Sequence, residues 1–226
     1  MLHGIDVSDD QGAINWRQAA VGLGVAAVQV GYAARAAWFD TRTGQANVHA
    51  ALTNGLKVMP YFFAFPVPGD ADLQGDQFGN MVRDLETEGA DFSLPAALDI
   101  EVNPEGMEPA ALSDWIDAFL AGTGIDAKHL AIYTNPAFWA ANTDGRQVNA
   151  HLWVAAWGAP KPPRLKGLPV PFMWQTTNRG HVPGITGPVD LDTLLFIPDP
   201  TKGPHEQAPN VQETPNGPLI RPHGDA

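Results

Sequence analysis

Hydrophobic residues recur along the chain in eight short runs, separated by longer polar or mixed segments. Runs of this length that are apolar on both sides of the chain are typical of strands in a parallel sheet covered on both faces. The predicted strands are His3–Val7, Val25–Gly31, Lys57–Phe63, Pro95–Glu101, His129–Thr134, His151–Ala156, Phe172–Gln175 and Val189–Leu194.

Three helices are predicted between the early strands, over Asn47–Asn54, Asp72–Glu88 and Pro109–Ala121. The first ends before a glycine and the third begins with a proline, as helix boundaries commonly do. After the fifth strand the connections become short and rich in proline and glycine. The pattern predicts an α/β fold, an irregular TIM-like β/α barrel with eight mostly parallel strands and few helices.

The last thirty residues, from Ile197, hold seven prolines and three glycines and few large apolar side chains. Such a segment buries too little surface to offset the entropy of ordering it. We therefore expect one barrel domain over residues 1–196 and a poorly structured tail or linker over 197–226.

Composition narrows the function classes. The chain has 226 residues, 44% of them hydrophobic, a formal net charge of −12 and no cysteine. The acidity makes nucleic acid an unfavourable partner, and the missing cysteines rule out disulfides and thiolate metal sites. No apolar run is long enough to cross a membrane, and the first strand begins at once, so we expect synthesis in the cytoplasm without a leader.

The segment Leu98-Asp99-Ile100-Glu101 places two acids in alternation at the end of an apolar run. In a strand, Asp99 and Glu101 share one face. Two carboxylates on one face of a buried strand raise each other's pKa, an arrangement that suits acid catalysis such as glycoside cleavage. A buried pair satisfied by backbone donors is the structural alternative.

Two further acids are expected beside this pair. Active sites of β/α barrels lie at the carboxyl ends of the strands, where we place Asp6 of the first strand and Asp190 of the last. Because the first and last strands are neighbours in a closed barrel, Asp6 and Asp190 should meet, facing Asp99 and Glu101. Asp6 could instead cap the following turn, and Asp192 is a weaker candidate for the same site.

Aromatic side chains follow several of the same strands. An aromatic face with a polar edge suits a sugar ring, and the amide of Gln175 could bond its hydroxyl or acetamido groups. The predicted substrate-binding residues are Tyr61, Tyr133, Trp153, Trp174, Gln175 and Asp192. The histidines form no zinc-binding pair, so we expect no cofactor and no zinc, although acids alone could hold Mg²⁺.

These residues resemble glycoside hydrolase family 25, the Chalaropsis-type lysozymes of bacteria and phage lysins. Gly4-Ile5-Asp6-Val7-Ser8 is similar to the opening motif of the family, and Leu98-Asp99-Ile100-Glu101 to its Asp-x-Glu strand. Later matches are Ile132-Tyr133-Thr134, Leu152-Trp153-Val154-Ala155, Trp174-Gln175 and Gly187-Pro188-Val189-Asp190-Leu191-Asp192. The matches run in order from residue 4 to 192.

The resemblance implies a barrel N-acetylmuramidase that cleaves the β-1,4 bond between N-acetylmuramic acid and N-acetylglucosamine in peptidoglycan. The sequence departs from the family pattern twice. The second strand reads Gln29-Val30-Gly31-Tyr32 where the family has a Lys-x-(Ser/Thr/Ala)-Glu-Gly segment, and the third reads Tyr61-Phe62-Phe63 where it has Tyr-His-Phe.

For that reaction we expect Glu101 to be the general acid and Asp99 to stay ionised and hold the 2-acetamido group of the substrate, with Asp6 and Asp190 tuning the field. The expected partner is the glycan strand of the cell wall, and the expected state is a monomer. The alternatives are a non-catalytic wall-binding module of a phage particle and a Mg²⁺-dependent phosphodiesterase.

Overall fold

A computed structural model describes residues 1–34, 37–41 and 43–207. All eight predicted strands are present and form a closed barrel, which confirms the expected fold. The barrel strands are β1 (Leu2–Val7), β2 (Val25–Ala34), β4 (Lys57–Phe63), β5 (Ala96–Asp99), β6 (Leu130–Thr134), β7 (His151–Ala155), β8 (Pro171–Gly180) and β9 (Val189–Leu194). A further strand that was not predicted, β3 (Ala37–Asp40), pairs only with β2, antiparallel to it, at the edge of the barrel.

Around the barrel the strands follow the order β1, β2, β4, β5, β6, β7, β8, β9, and the pairing of β9 with β1 completes the ring. All neighbours are parallel except β9, which runs antiparallel to both β8 and β1. The expectation that Asp190 lies at the carboxyl end of its strand was therefore wrong. Asp190 is near the start of β9, and the reversed direction places it in register with Asp6, near the end of β1.

Within the described residues, five α-helices accompany the barrel: α1 (Trp16–Ala19), α2 (Gly44–Thr53), α3 (Ala71–Thr87), α4 (Pro109–Gly122) and α5 (Pro136–Asn142). The three predicted helices correspond to α2, α3 and α4, whereas the short α1 and α5 were not predicted. In the part of the chain that the structure describes, no helix combines the length and apolar character needed to span a bilayer.

Alternation along the strands divides the hydrophobic residues between two cores. Small and medium side chains such as Ala27, Met59 and Ala97 fill the inside of the barrel. The opposite faces of the strands pack against the helices, where the Phe62 ring lies 5.6 Å from that of Phe78 and 5.9 Å from that of Phe119. Because these strands are buried on both faces, side chains that point inward at the open end must be satisfied there.

The chain continues to pack against the barrel beyond residue 196. Pro204 is buried, and the ring of His205 bonds the Val148 carbonyl through Nε2 at 2.8 Å. The side chain of Gln207 bonds both backbone groups of Asp199, donating to its carbonyl and accepting from its amide. Residues 197–207 of the predicted tail thus pack against the barrel, and the rest of that tail, 208–226, lies outside the described residues.

Candidate active site

A cleft of about 660 Å³ opens at the mouth of the barrel. It is lined by Asp6, Asp99, Glu101 and Asp190, so the structure brings together the four acids that were singled out as catalytic. Tyr61, Tyr133 and Trp153 also line it. The described lining residues include no Lys, Arg or His.

The two acids of the Asp-x-Glu segment occupy different environments. β5 ends at Asp99, whose side chain points into the barrel and is 6% exposed, whereas Glu101 follows the strand and lies exposed at the lip. Burial raises the pKa of Asp99 well above its usual value, and the charges of Glu101 and Asp190 raise it further. The Oδ1 atom of Asp99 is buried and has no hydrogen-bond partner among the described residues.

The pKa of Glu101 is also raised, first by partial burial in the cleft and then by the charge of Asp190. We expected Asp99 to be ionised and Glu101 to be the acid with the perturbed pKa. The pKa of both acids is raised, and Asp99 is the more deeply buried of the two. In the free protein Asp99 is therefore held towards its neutral form, because the strand directs it into the barrel interior.

Asp6 and Asp192 form a buried acid pair on neighbouring strands. Burial and the charges of Asp192 and Asp190 raise the pKa of Asp6 well above its usual value. The pKa of Asp192 is about 7, raised by burial and lowered by hydrogen bonds from Asp6 and from Trp153, whose Nε1 donates to Asp192 Oδ1 at 2.8 Å. Burial thus holds both carboxyl groups towards their neutral forms.

The turn after β1 is capped by Ser8, and this removes the structural alternative for Asp6. The Ser8 hydroxyl accepts from the Asp10 amide at 3.2 Å, while Gln11 Oε1 accepts from the Ser8 amide at 2.8 Å. Because the cap is complete without Asp6, the Asp6 side chain is left for the cleft.

Gln175 connects both sides of the acid cluster. Its Nε2 atom donates to Asp6 Oδ2 at 2.9 Å and to Asp190 Oδ2 at 3.2 Å. Its Oε1 atom accepts from Tyr133 Oη at 3.1 Å and from Trp157 Nε1 at 2.7 Å. A primary amide has two N–H donors and two acceptor lone pairs, so all four are in use. Gln175 therefore positions the acids and has no free group for the sugar contact that the sequence suggested.

Three aromatic side chains form the floor beneath the acids. The Trp153 ring lies 4.3 Å from the Tyr133 ring and 5.8 Å from the Tyr61 ring. Burial and the surrounding carboxylates raise the pKa of both tyrosines, so their hydroxyls remain neutral donors. Trp153 is 1% exposed and its N–H is committed to Asp192, so it supports the site from below.

Trp174 does not reach the cleft. It precedes Gln175 on β8, and adjacent strand residues point to opposite sides of the sheet. Its indole packs against the outer core and its Nε1 donates to the Ala156 carbonyl at 3.0 Å. The predicted role of Trp174 in binding is thus not supported by its position, and Asp192 lies behind the lining residues.

Sequence reasoning missed a whole side of the cleft. It is contributed by the segment after β1 and by the β2–β3 pair, and its members are Ser8, Asp9, Asp10, Gln29, Tyr32, Phe39 and Asp40. Asp9 is held by Thr43, whose amide and hydroxyl both donate to Asp9 Oδ1, at 3.0 and 2.7 Å. The signal that could have found this side is the departure at Gln29-Val30-Gly31-Tyr32, which places an amide and a phenol at the rim.

The second departure from the family pattern lies away from the cleft. Phe62 is completely buried in the outer core, against the helices. A phenylalanine in place of the family's histidine therefore changes the packing of the helices and leaves the cleft lining unchanged at that position.

The described residues do not provide three histidine or acidic side chains placed to hold a metal ion together. The acids of the mouth are separated into Asp99 and Glu101 on one side and Asp6 and Asp190 on the other, and Gln175 already donates a hydrogen bond to both members of the second group. The alternative of a Mg²⁺-dependent phosphodiesterase gains no support from this arrangement.

Comparison with known proteins matches residues 5–185 to the family model of glycosyl hydrolases family 25. Lysozyme M1 of Streptomyces globisporus is 31% identical over 203 residues, which are 84% of this chain and 66% of that protein. An uncharacterized Escherichia coli protein, YegX, is 28% identical over 85% of this chain and 69% of its own length. This chain spans about two thirds of the length of these curated relatives.

Solved structures give the same result. The crystal structure of the bacterial lysozyme from Streptomyces coelicolor superimposes with a TM-score of 0.73 at 27% identity, covering 85% of this chain and 91% of that one. The catalytic domain of endolysin ply40 from a Listeria monocytogenes phage shares the fold, with a TM-score of 0.67 at 20% identity over 85% of this chain and 92% of that one. These findings confirm the resemblance stated from the sequence motifs.

Proposed function

This chain belongs to glycosyl hydrolases family 25, and on that premise we propose that it cleaves the β-1,4 bond between N-acetylmuramic acid and N-acetylglucosamine in bacterial peptidoglycan. The observation that carries the proposal is the meeting of Glu101 and Asp99 with Asp6 and Asp190 in one open cleft. Similarity to the Streptomyces lysozymes supports the substrate class.

Glu101 is the general acid. It is the accessible member of the acid cluster, and its raised pKa keeps a proton available at a pH where an ordinary glutamate has lost it. The proton is transferred to the glycosidic oxygen as the bond to the anomeric carbon breaks. After departure of the leaving sugar, the Glu101 carboxylate takes a proton from the incoming water and the acid is restored.

Asp99 receives the 2-acetamido group of the substrate. Its Oδ1 is a buried acceptor without a donor, so the acetamido N–H of a bound sugar supplies what the free protein lacks. A donated hydrogen bond favours the ionised carboxylate and lowers the pKa of Asp99 on binding. The acetamido oxygen is then oriented to attack the anomeric carbon, which gives substrate-assisted retention of configuration.

Asp6 and Asp190 set the electrostatic field of the cleft, and Gln175 fixes their carboxyl groups by donating one N–H to each. The negative charge of Asp190 raises the pKa of Glu101 before the reaction and stabilises the developing positive charge on the sugar during it. Tyr61, at the floor, offers a neutral hydroxyl group to the sugar above it, whereas the Tyr133 hydroxyl donates to Gln175.

The test uses purified cell walls and measures two quantities on the same sample, the protein bound to the walls and the reducing ends released. We expect both binding and new reducing ends at muramic acid, with no change on adding EDTA. Binding without release would establish a wall-binding module instead. Activity abolished by EDTA would favour the metal-dependent alternative.

A further inference from the structure

The acids lie along one diameter of the barrel mouth, and the exposed aromatic rings lie along a second diameter, perpendicular to the first. In the ring of eight strands, β5 and β9 are four strands apart. Glu101 follows β5, and Asp190 lies on β9. β2 and β7 are likewise four strands apart, which places the β2 end and the β7 end of the cleft on either side of the line between the acids.

The β2 end carries a pair of rings that faces the cleft. Tyr32 of β2 is in register with Phe39 of β3, and their ring centroids are 5.3 Å apart with planes inclined by 31°. Both rings line the same cavity as the catalytic acids, yet Phe39 is 46% exposed. An aromatic ring at the entrance of a site with this much free surface is available for contact with a ligand.

A second exposed ring follows β7 and is not among the residues that line the cavity. Trp157 follows β7 by two residues and is 56% exposed, while its Nε1 donates to Gln175 Oε1 at 2.7 Å. Since Gln175 also holds Asp6 and Asp190, this bond fixes the indole relative to the acids. Phe39 and Trp157 are the two aromatic residues among the large apolar side chains that the described part of the chain leaves exposed.

We propose that the Tyr32–Phe39 pair is a sugar-stacking subsite, that Trp157 is its counterpart across the acids, and that the glycan therefore runs from the β2 end to the β7 end of the mouth. This inference rests on the proposed function. The flat apolar face of a pyranose ring lies on the aromatic surface, while its polar edge meets Asp10 and Asp40, which line the same end of the cleft.

The charge of this end indicates which sugar it accepts. The carboxylates of Asp10 and Asp40 accept hydrogen bonds from hydroxyl and acetamido N–H groups, and their negative charge disfavours a ring that carries a carboxylate. N-acetylglucosamine is neutral, whereas muramic acid bears a lactyl group with its carboxylate or peptide stem. The Tyr32–Phe39 pair therefore takes the N-acetylglucosamine unit.

The subsite can be tested by binding alone, with chitotetraose as an all-N-acetylglucosamine probe and the full chain as it stands. We expect Phe39→Ala to raise the Kd about tenfold, equivalent to ~1.4 kcal/mol. Phe39→Leu keeps an apolar side chain without a flat face, and it should also weaken binding. Leu73→Ala removes an equally exposed apolar side chain from α3, outside the cleft, and should leave the Kd unchanged.

A kinetic readout separates the subsite from a structural role. On soluble glycan strands, Phe39→Ala should raise KM with kcat nearly unchanged, and it should abolish the preference for long strands over short ones. Binding by the wild type that is unaffected by Phe39→Ala, with circular dichroism confirming the fold, would overturn the subsite. Failure of the wild type to release muramic acid ends would instead refute the proposed function, and the binding measurement would still decide the subsite.

Discussion

Replacement of Gln175 by leucine tests how the acid cluster is held. The side chain is 1% exposed and uses all four of its hydrogen-bonding positions. Two of its partners, Asp190 and Trp157, are partly exposed and can form hydrogen bonds with water instead. The loss of their bonds to Gln175 therefore costs little free energy. The other two, Asp6 and Tyr133, are each 7% exposed, and Asp6 Oδ2 and Tyr133 Oη would both lose their hydrogen bond to Gln175 in a buried position.

Each unsatisfied buried polar group costs about 1–3 kcal/mol, so Gln175→Leu should lower the free energy of unfolding by roughly 3 kcal/mol after allowance for the added apolar contact. For a chain of this length the midpoint of thermal unfolding should fall by roughly 6–12 °C. The neighbouring variant Thr176→Val is the matched control, since it removes one partly buried bond, to the Leu191 carbonyl, on the other face of β8.

Urea denaturation and thermal melts of both variants give these values directly. A loss for Gln175→Leu no larger than that for Thr176→Val, on the order of 1 kcal/mol or less, would show that water satisfies Asp6 and Tyr133 and that Gln175 is not the element that holds them.

Two further predictions concern the titration of the cluster. The raised pKa of Asp99 means that the native state binds its proton more tightly than the unfolded chain, so this contribution to stability is present below about pH 4 and is lost as the pH rises through the native pKa. Asp99→Asn should therefore be inactive but more stable than wild type at pH 7, by roughly 0.5–2 kcal/mol. The difference in thermal midpoint between variant and wild type should disappear towards pH 4. Because the charge of Asp190 raises the pKa of Glu101, Asp190→Asn should move the alkaline limb of the rate profile to lower pH, measured on the residual activity, and an unshifted limb would contradict the assignment of Glu101 as the acid.

The sequence predicted the barrel because each strand is a local apolar run, and such runs are buried wherever they occur. It also predicted the meeting of Asp6, Asp99, Glu101 and Asp190, since alternation and barrel closure together place them at the mouth. The direction of β9 was missed because the predicted strand ended at Gln175 and left residues 176–188, enough for a parallel crossover, whereas β8 extends to Gly180 and leaves only 181–188.

Other errors came from treating adjacent residues as one unit. Trp174 and Gln175 were both assigned to the substrate, yet adjacent strand residues cannot face the same side. The β2–β3 pair was missed because the residues between Tyr32 and Phe39 are rich in alanine and carry no turn signal such as Asn-Gly. The partition of four hydrogen bonds on Gln175 depends on partners from three other strands and a loop, which no local pattern specifies.

In the proposed mechanism Glu101 protonates the glycosidic oxygen, and the bond to the anomeric carbon of muramic acid breaks. Mass analysis of the fragments released from purified peptidoglycan, by wild type and by Glu101→Gln in parallel, tests it directly. We expect fragments ending in reducing muramic acid from the wild type and at least about a hundredfold fewer from Glu101→Gln. The variant should still bind the walls and keep its thermal midpoint. Near wild-type release by Glu101→Gln, or reducing ends at N-acetylglucosamine, would contradict it.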